Sequence, residues 1–282
     1  MSVVDLGEVQ LFVTDTGPLS GVGAPPVLLV HGWTCDSHDW SDQLDSLATR
    51  HRVIAPDLRG HGRSSTPAAG YTAQHHAADL VALLDRLDVG PVVVIGHSLG
   101  AVVAAALAVE HPERVLATVV VEPAYGQPPP ALEWLVGVAD QFGTQDGNAL
   151  AADLQAATEP TAPARQRAWH RRRTLGMAPA LLARTFRDMY VVPEQVSGQP
   201  ATDRYLAGRR CPTLAFHRLP DMADWERGVL THPASRAVSW EGSGHWLHQE
   251  RPVEFNRLVL DWLADLPVAG HPADRPALQG TA

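Results

Sequence analysis

The sequence predicts an α/β domain, a mostly parallel sheet covered by helices on both faces, and three observations predict it. Short continuous apolar runs recur at residues 27–30, 53–55, 92–95, 117–121, 212–216 and 236–240. That is the pattern of strands buried on both faces, not the alternation of a half-exposed sheet. Helical stretches at 37–49, 73–87, 98–110 and 252–266 separate most of these runs, as parallel crossovers require. A length of 282 residues is enough for one large domain, or a core with a lid, around a sizeable interior.

Taken in order, residues 3–6 and 9–14 read as a hairpin turning at Gly7, the antiparallel opening of the sheet. The run 27–30 is bounded by Ala24-Pro25-Pro26 and by His31-Gly32-Trp33. A glycine at a strand end lets the chain turn so that the Trp33 N–H points back toward the next strand ends. The run 53–55 leads into Pro56-Asp57-Leu58-Arg59-Gly60-His61-Gly62-Arg63-Ser64.

The most informative segment follows 92–95: Gly96-His97-Ser98-Leu99-Gly100, then an Ala-rich helix to Glu110. A serine between a buried strand and a helix, with glycine two residues to either side, is a nucleophile elbow, its hydroxyl exposed above the sheet on a strained turn. The glycines are needed where the turn brings backbone segments together and a Cβ would clash. A helix N-cap would explain Ser98 but not the two glycines. The run 117–121 ends in Glu122. From Pro123 to Arg210 the alternation stops, and the segment opens with Pro128-Pro129-Pro130 and continues in helical, Ala-rich and Arg-rich stretches. The run 236–240 enters Glu241-Gly242-Ser243-Gly244-His245.

Serine is a poor nucleophile at neutral pH without a base in reach. His245, on a loop after a strand, is the candidate. His31, His61 and His97 sit inside turn motifs and read as local scaffold, and His248 lies at the start of the last helix. A carboxylate must fix the His245 tautomer and stabilise the imidazolium. The N–H groups of Trp33 and Leu99 form a two-donor oxyanion hole. The chemistry expected is acyl transfer to water.

Together, His31-Gly32-Trp33, Asp57-Leu58-Arg59-Gly60-His61-Gly62, Gly96-His97-Ser98-Leu99-Gly100 and Gly244-His245 resemble the α/β-hydrolase family in order and spacing, over residues 9–266. The resemblance implies a core of residues 1–123 and 211–266, and a helical cap over 124–210 that roofs the substrate pocket. It also implies the chain order nucleophile, acid, histidine. The usual member carries its acid after the strand 212–216, which points to Asp221. Here, however, that strand runs into His217-Arg218-Leu219-Pro220, and Asp221 reads as the N-cap or first-turn acid of a helix. Glu122 is the rival and the preferred acid. A carboxylate ending a buried β-branched strand must be paired or functional, and some branches place the acid there, among them certain haloalkane dehalogenases, the zearalenone lactonases and the quinaldine-type dioxygenases.

Ser98 argues against the family's dehalogenases and epoxide hydrolases, which need a carboxylate nucleophile. His31-Gly32-Trp33 is also similar to cofactor-free perhydrolases and to cofactor-independent dioxygenases, although Leu99 stands where the quinaldine-type enzymes have His. A ligand receptor on the same fold is the third reading. The preferred substrate is a small or medium apolar ester, lactone or thioester. His31, His97, Trp134, Tyr190 and Trp246 are candidates to touch it, with Trp169, Phe186 and Met189 as further cap residues that line the pocket if they face inward.

Hydrophobic residues are 45% and charged residues 19% of the chain. The net charge of −9 argues against nucleic acid or an anionic membrane as partner. With neither a metal-binding pattern nor a nucleotide loop, no cofactor is expected. Cys35 and Cys211 cannot make a disulfide framework, and Cys35 reads as a small buried hydrophobe. No segment approaches 18 apolar residues and no signal peptide opens the chain, so a cytoplasmic protein is expected, with a homodimer as a possible assembly and the oligomeric state left open. The basic run Arg165–Arg173 reads as a solvated helix face. Residues 267–282, rich in Pro, Ala and Gly, read as an unstructured tail.

Overall fold

The computed structural model describes residues 1–18 and 24–266, so the tail expected over 267–282 lies outside the described residues. Among the described residues, eight strands form one sheet: β1 (Ser2–Asp5), β2 (Gln10–Asp15), β3 (Val27–Val30), β4 (Val53–Pro56), β5 (Val92–His97), β6 (Val115–Val121), β7 (Thr213–His217) and β8 (Arg236–Ser239). Their spatial order is β1-β2-β4-β3-β5-β6-β7-β8. The hairpin β1–β2 is antiparallel, β2 meets β4 antiparallel, and every later pairing is parallel.

The apolar runs form strands because both faces are covered. Leu28, Val30, Val92 and Val94 pack with α2 (Ala73–Arg86) and α3 (Leu99–Glu110). Their alternates Val27, Leu29, Val93 and Ile95 pack with α1 (Ser41–Ala48) and α11 (Pro252–Asp265), through Leu47, Phe255, Val259 and Trp262. This two-residue alternation between cores is the strand period read on two apolar faces. α3 is apolar all round, and its residues Leu99 to Ala108 are buried, as expected for a helix between sheet and neighbours.

The sequence-predicted elements are present with boundary shifts. Residues 37–40 form a 3-10 turn ahead of α1, and β6 starts at Val115, two residues early. A short α10 (Leu247–Glu250), carrying buried His248, precedes the last helix.

Between β6 and β7 lie α4 (Pro129–Ala139), α5 (Gly147–Ala157), α6 (Ala164–Gly176), α7 (Pro179–Tyr190) and α8 (Ala201–Leu206). These helices dock on the core through specific contacts. Trp33 Nε1 donates to Thr185 Oγ1 at 2.8 Å, and the Tyr71 N–H donates to Asp188 at 2.7 Å. Arg173 of α6 pairs with Asp36 and Asp39 in the loop after β3. The basic run is therefore not uniformly solvated: Arg173 is a nearly buried tie between cap and core, while Arg171 pairs with Asp153 in solvent.

Register brings the functional loops together. Gly96 lies opposite both Val30 and Val120, Val121 opposite Phe216, and His217 opposite Ser239. The loops after β3, β5, β6, β7 and β8 thus leave one edge of the sheet, where ligands bind in parallel α/β proteins.

Candidate active site

Ser98 occupies the turn between β5 and α3 with φ 53° and ψ −114°, a region costing about 1–3 kcal/mol for a residue with a Cβ. The surroundings hold it there. Its N–H donates to Val121 O at 2.9 Å, and its carbonyl accepts from Ala101, Val102 and Ala124. A Cβ at Gly96 would meet Gly100 O at 2.2 Å, and one at Gly100 would meet Val30 O at 2.0 Å. No movement short of separating β3, β5 and α3 could accommodate either. The loop after β3 also reaches the elbow, since a Cβ at Gly32 would lie 3.3 Å from Ser98 Cβ. Among the described residues, the N–H groups of Trp33 and Leu99 donate to no protein acceptor.

Glu122 ends β6 in a left-handed conformation, φ 43°, with its N–H on Phe216 O at 2.8 Å. Its carboxylate accepts from the Arg218 N–H at 2.6 Å, from Arg218 Nε at 3.0 Å and from His245 Nδ1 at 3.4 Å. Burial alone would raise this carboxyl, but the donors on His245 and Arg218 outweigh it and hold it below the usual range, ionised at neutral pH.

His245 is held by its backbone from two sides. Its N–H donates to Thr158 O at 2.8 Å, and its carbonyl accepts from His97 Nε2 at 3.0 Å. Ser98 Oγ has no hydrogen-bond partner among the described residues; serine–histidine contacts of this kind often tighten only around substrate. Both side chains line one cavity of about 410 Å³, together with Glu122, Trp33 and Arg218.

The cap supplies most of the apolar wall. Tyr190, Phe186, Met189 and Phe142 line the cavity from inside, and Trp246 lines it from the His245 loop. Trp134 also lines it, but at 56% exposure it sits at the mouth. Two expectations need correction. His31 does not line the cavity: it is fully buried, and its Nε2 accepts the Leu58 N–H at 2.9 Å, tying the loop after β3 to the loop after β4. Trp169 stacks on His38 at 4.5 Å, away from the cavity. His97 does line it, but its Nε2 is engaged by the His245 carbonyl, and burial lowers its pKa far enough to keep the ring neutral.

The two candidate acids are sharply separated. Asp221 lies exposed in the first turn of α9 (Pro220–Val229), with no side-chain hydrogen bond or ion pair among the described residues. Glu122 faces His245. Sequence reasoning missed Arg218, which follows β7 and clamps Glu122. The signal was present in the departure of His217-Arg218-Leu219-Pro220 from the expected acid loop. It also missed Thr158 and Gln155 of the cap, whose place in the wall no helical period discloses. Cys35 is buried, its thiol pushed well up by desolvation, which makes it a hydrophobe and not a nucleophile. No helix among the described residues is long and apolar enough to cross a membrane.

A mostly parallel sheet with a strained serine between its central strand and a buried helix, and a helical insertion after the sixth strand, is the architecture of the α/β hydrolases. A family model described as alpha/beta hydrolase fold matches residues 25–213, and the chain belongs to that family. It is 29% identical to epoxide hydrolase A of Mycobacterium tuberculosis, over 94% of this chain and 97% of that protein. A non-heme chloroperoxidase of Streptomyces lividans is 43% identical over 40% of each protein. The match spans as little as 28% of another curated relative's length. Among solved structures, the enol-lactonase of Burkholderia xenovorans superposes with a TM-score of 0.78 at 21% identity, over 94% of this chain and 100% of that one. A thermophilic esterase of Thermogutta terrifontis superposes at 0.76 with 27% identity, over 91% and 94%.

Proposed function

We propose that the protein is a serine hydrolase that cleaves a small or medium apolar ester, lactone or thioester through an acyl-enzyme on Ser98. The observation that carries this reading is the pairing of His245 Nδ1 with the largely buried Glu122 carboxylate, beside a strained Ser98 in the same cavity. Ser98 Oγ attacks the substrate carbonyl carbon while its proton passes to His245 Nε2. The tetrahedral oxyanion lies against the Trp33 and Leu99 N–H groups. The imidazolium, stabilised by ionised Glu122, returns the proton to the leaving alkoxide or thiolate as that bond breaks. Water then attacks the acyl carbonyl, giving a proton to His245, which passes it to Ser98 Oγ as the acyl–Oγ bond breaks and the carboxylic acid leaves.

Apolar cap side chains around the cavity support an apolar acyl or alcohol group, and likeness to the Thermogutta esterase supports ester chemistry. The epoxide hydrolase relative does not carry its reaction across, because Ser98 stands where that branch needs a carboxylate. The segment shared with the non-heme chloroperoxidase supports a second reading on the same acyl-enzyme, in which hydrogen peroxide replaces water and releases a peroxyacid.

Intact mass after treatment with a fluorophosphonate tests the proposal. One adduct on the wild type, absent from Ser98→Ala, together with saturable turnover of p-nitrophenyl acetate or butyrate, is the expected result. A folded wild type that takes no adduct and turns over none of these esters overturns the acyl-enzyme mechanism.

A further inference from the structure

Several cap groups that the proposed chemistry does not use converge on the loop carrying His245. Thr158, just beyond the end of α5, accepts the His245 N–H at 2.8 Å. The next residue, Glu159, is buried, and its carboxylate accepts from Nδ1 of buried His170 on α6 at 2.7 Å. The His170 ring stacks on Trp246, the neighbour of His245, with centroids 4.1 Å apart and planes 25° apart, and its Nε2 lies 3.2 Å from Gln249 Oε1. On the other side of the loop, the Gly244 N–H donates to the Glu250 carboxylate, which also accepts from Thr161 Oγ1 of the cap at 2.7 Å. The approach is so close that a Cβ on Gly244 would meet Thr158 O at 2.9 Å and Glu159 Cα at 3.0 Å.

We propose that this junction between α5 and α6, through Thr158 and the buried Glu159–His170 pair, is a positioning device for His245. The cap then grips the base directly and cannot lift away on this side without releasing it. The inference rests on the reading of His245 as the catalytic base.

The physical argument is one of connection. The Glu159–His170 pair fixes two neighbours at once: Glu159 is bonded in sequence to the residue that accepts the His245 N–H, and His170 packs flat on the residue after His245. Burying a carboxylate with a histidine gains little stability over an apolar pair. It does set the relative place of the two segments, because each donor and acceptor has one satisfactory geometry. His97, beside the nucleophile, holds the His245 carbonyl on the opposite side. The base therefore hangs between the elbow and the cap, and a shift of either changes its distance to Ser98. Elsewhere the cap is tied independently by Trp33–Thr185, Tyr71–Asp188 and Arg173–Asp36, so loss of the pair does not undock it.

The test uses the full chain with Glu159→Ala and His170→Phe, and Glu159→Gln as the conservative variant that keeps an acceptor for His170 Nδ1. Turnover of p-nitrophenyl butyrate, the rate of Ser98 labelling by a fluorophosphonate, and hydrogen exchange of residues 242–248 are measured. The expected result for the first two variants is a loss of about tenfold to a hundredfold in kcat and labelling rate. KM stays within about twofold, residues 242–248 exchange faster, and Glu159→Gln recovers most of kcat. If Glu159→Ala fails to fold, Gly244→Ala presses on the same junction from the core side and is expected to lose kcat in the same way. Folded variants with wild-type kcat and wild-type exchange overturn the proposal, as does a Glu159→Gln no better than Glu159→Ala. A wild type with neither labelling nor turnover overturns the underlying reading and this inference with it, whereas the former results overturn this inference alone.

Discussion

Replacing Glu122 by Gln removes a negative charge from beside His245 while keeping the size of the side chain. The separation of 3.4 Å between Glu122 Oε2 and His245 Nδ1 sets the magnitude. At an effective dielectric of about 20, a carboxylate and an imidazolium at that distance attract by about 5 kcal/mol. Part of this survives as the dipole of the Gln amide, so the transition state, where His245 carries the proton, loses about 3–4 kcal/mol. That corresponds to a drop of about 10²–10³ in kcat. A second effect has the same sign: an amide NH2 turned toward Nδ1 selects the tautomer with the proton on Nε2, which cannot accept from Ser98. The ion pair with Arg218, whose side chain is 35% exposed, adds at most about 1 kcal/mol to stability. The variant is therefore expected to fold with a midpoint within a few degrees of the wild type. Steady-state hydrolysis of p-nitrophenyl butyrate measures the loss, with circular dichroism confirming the fold. Asp221→Asn, at an exposed helix start, is expected to keep kcat within about twofold. A folded Glu122→Gln retaining more than about a tenth of wild-type kcat, or an Asp221→Asn that loses more than it does, would refute the assignment of the acid.

Acid should destabilise the protein well before its carboxylates titrate. Burial depresses His61 and His248 to about 3 and carries His76 and His97 well below their ordinary value. Each binds a proton readily only when unfolded, so the stability due to burying the neutral ring is complete above about pH 6.5 and falls as pH drops toward the folded values, by up to about 1.4 kcal/mol per pH unit for each ring. Thermal midpoints between pH 8 and pH 4.5 should decline steeply below about pH 6.5, and a flat profile down to pH 5 would contradict the burial of these rings. Gly100→Ala, with its Cβ at 2.0 Å from Val30 O, should cost about 3 kcal/mol or more, whereas Gly137→Ala, in open space on α4, should stabilise by up to about 1 kcal/mol; urea titration separates the two. Trp134→Ala at the cavity mouth should alter the preference between acetate and octanoate esters by several-fold while leaving acetate turnover within about threefold, as kcat/KM across a chain-length series reports.

The sheet and the serine elbow were legible in the chain because both are local. Doubly buried strands leave continuous Val/Ile/Leu runs, and an elbow leaves Gly96 and Gly100 around Ser98, since close backbone approach excludes every other residue. His245 was legible for a similar reason, lying on a Gly-rich loop after a strand. What the chain left open between Glu122 and Asp221 depends on strand register and on which loop ends face each other. β6 beside β7 places the Glu122 carboxylate among the Arg218 and His245 donors, while Pro220 starts a helix that turns Asp221 to solvent. His31 is the turn scaffold that its motif indicated and not a wall of the cavity, because its side-chain direction is decided by a hydrogen-bond partner, Leu58, 27 residues away. Of the basic run, only tertiary contact distinguishes Arg173, drawn into a tie with Asp36 and Asp39, from exposed Arg171. Strand, elbow and loop chemistry are short-range properties that composition and spacing determine. The Glu122–His245 contact, the cavity wall and the Thr158–His245 hydrogen bond join residues tens to more than a hundred positions apart, and only packing of the helices against the sheet brings them together.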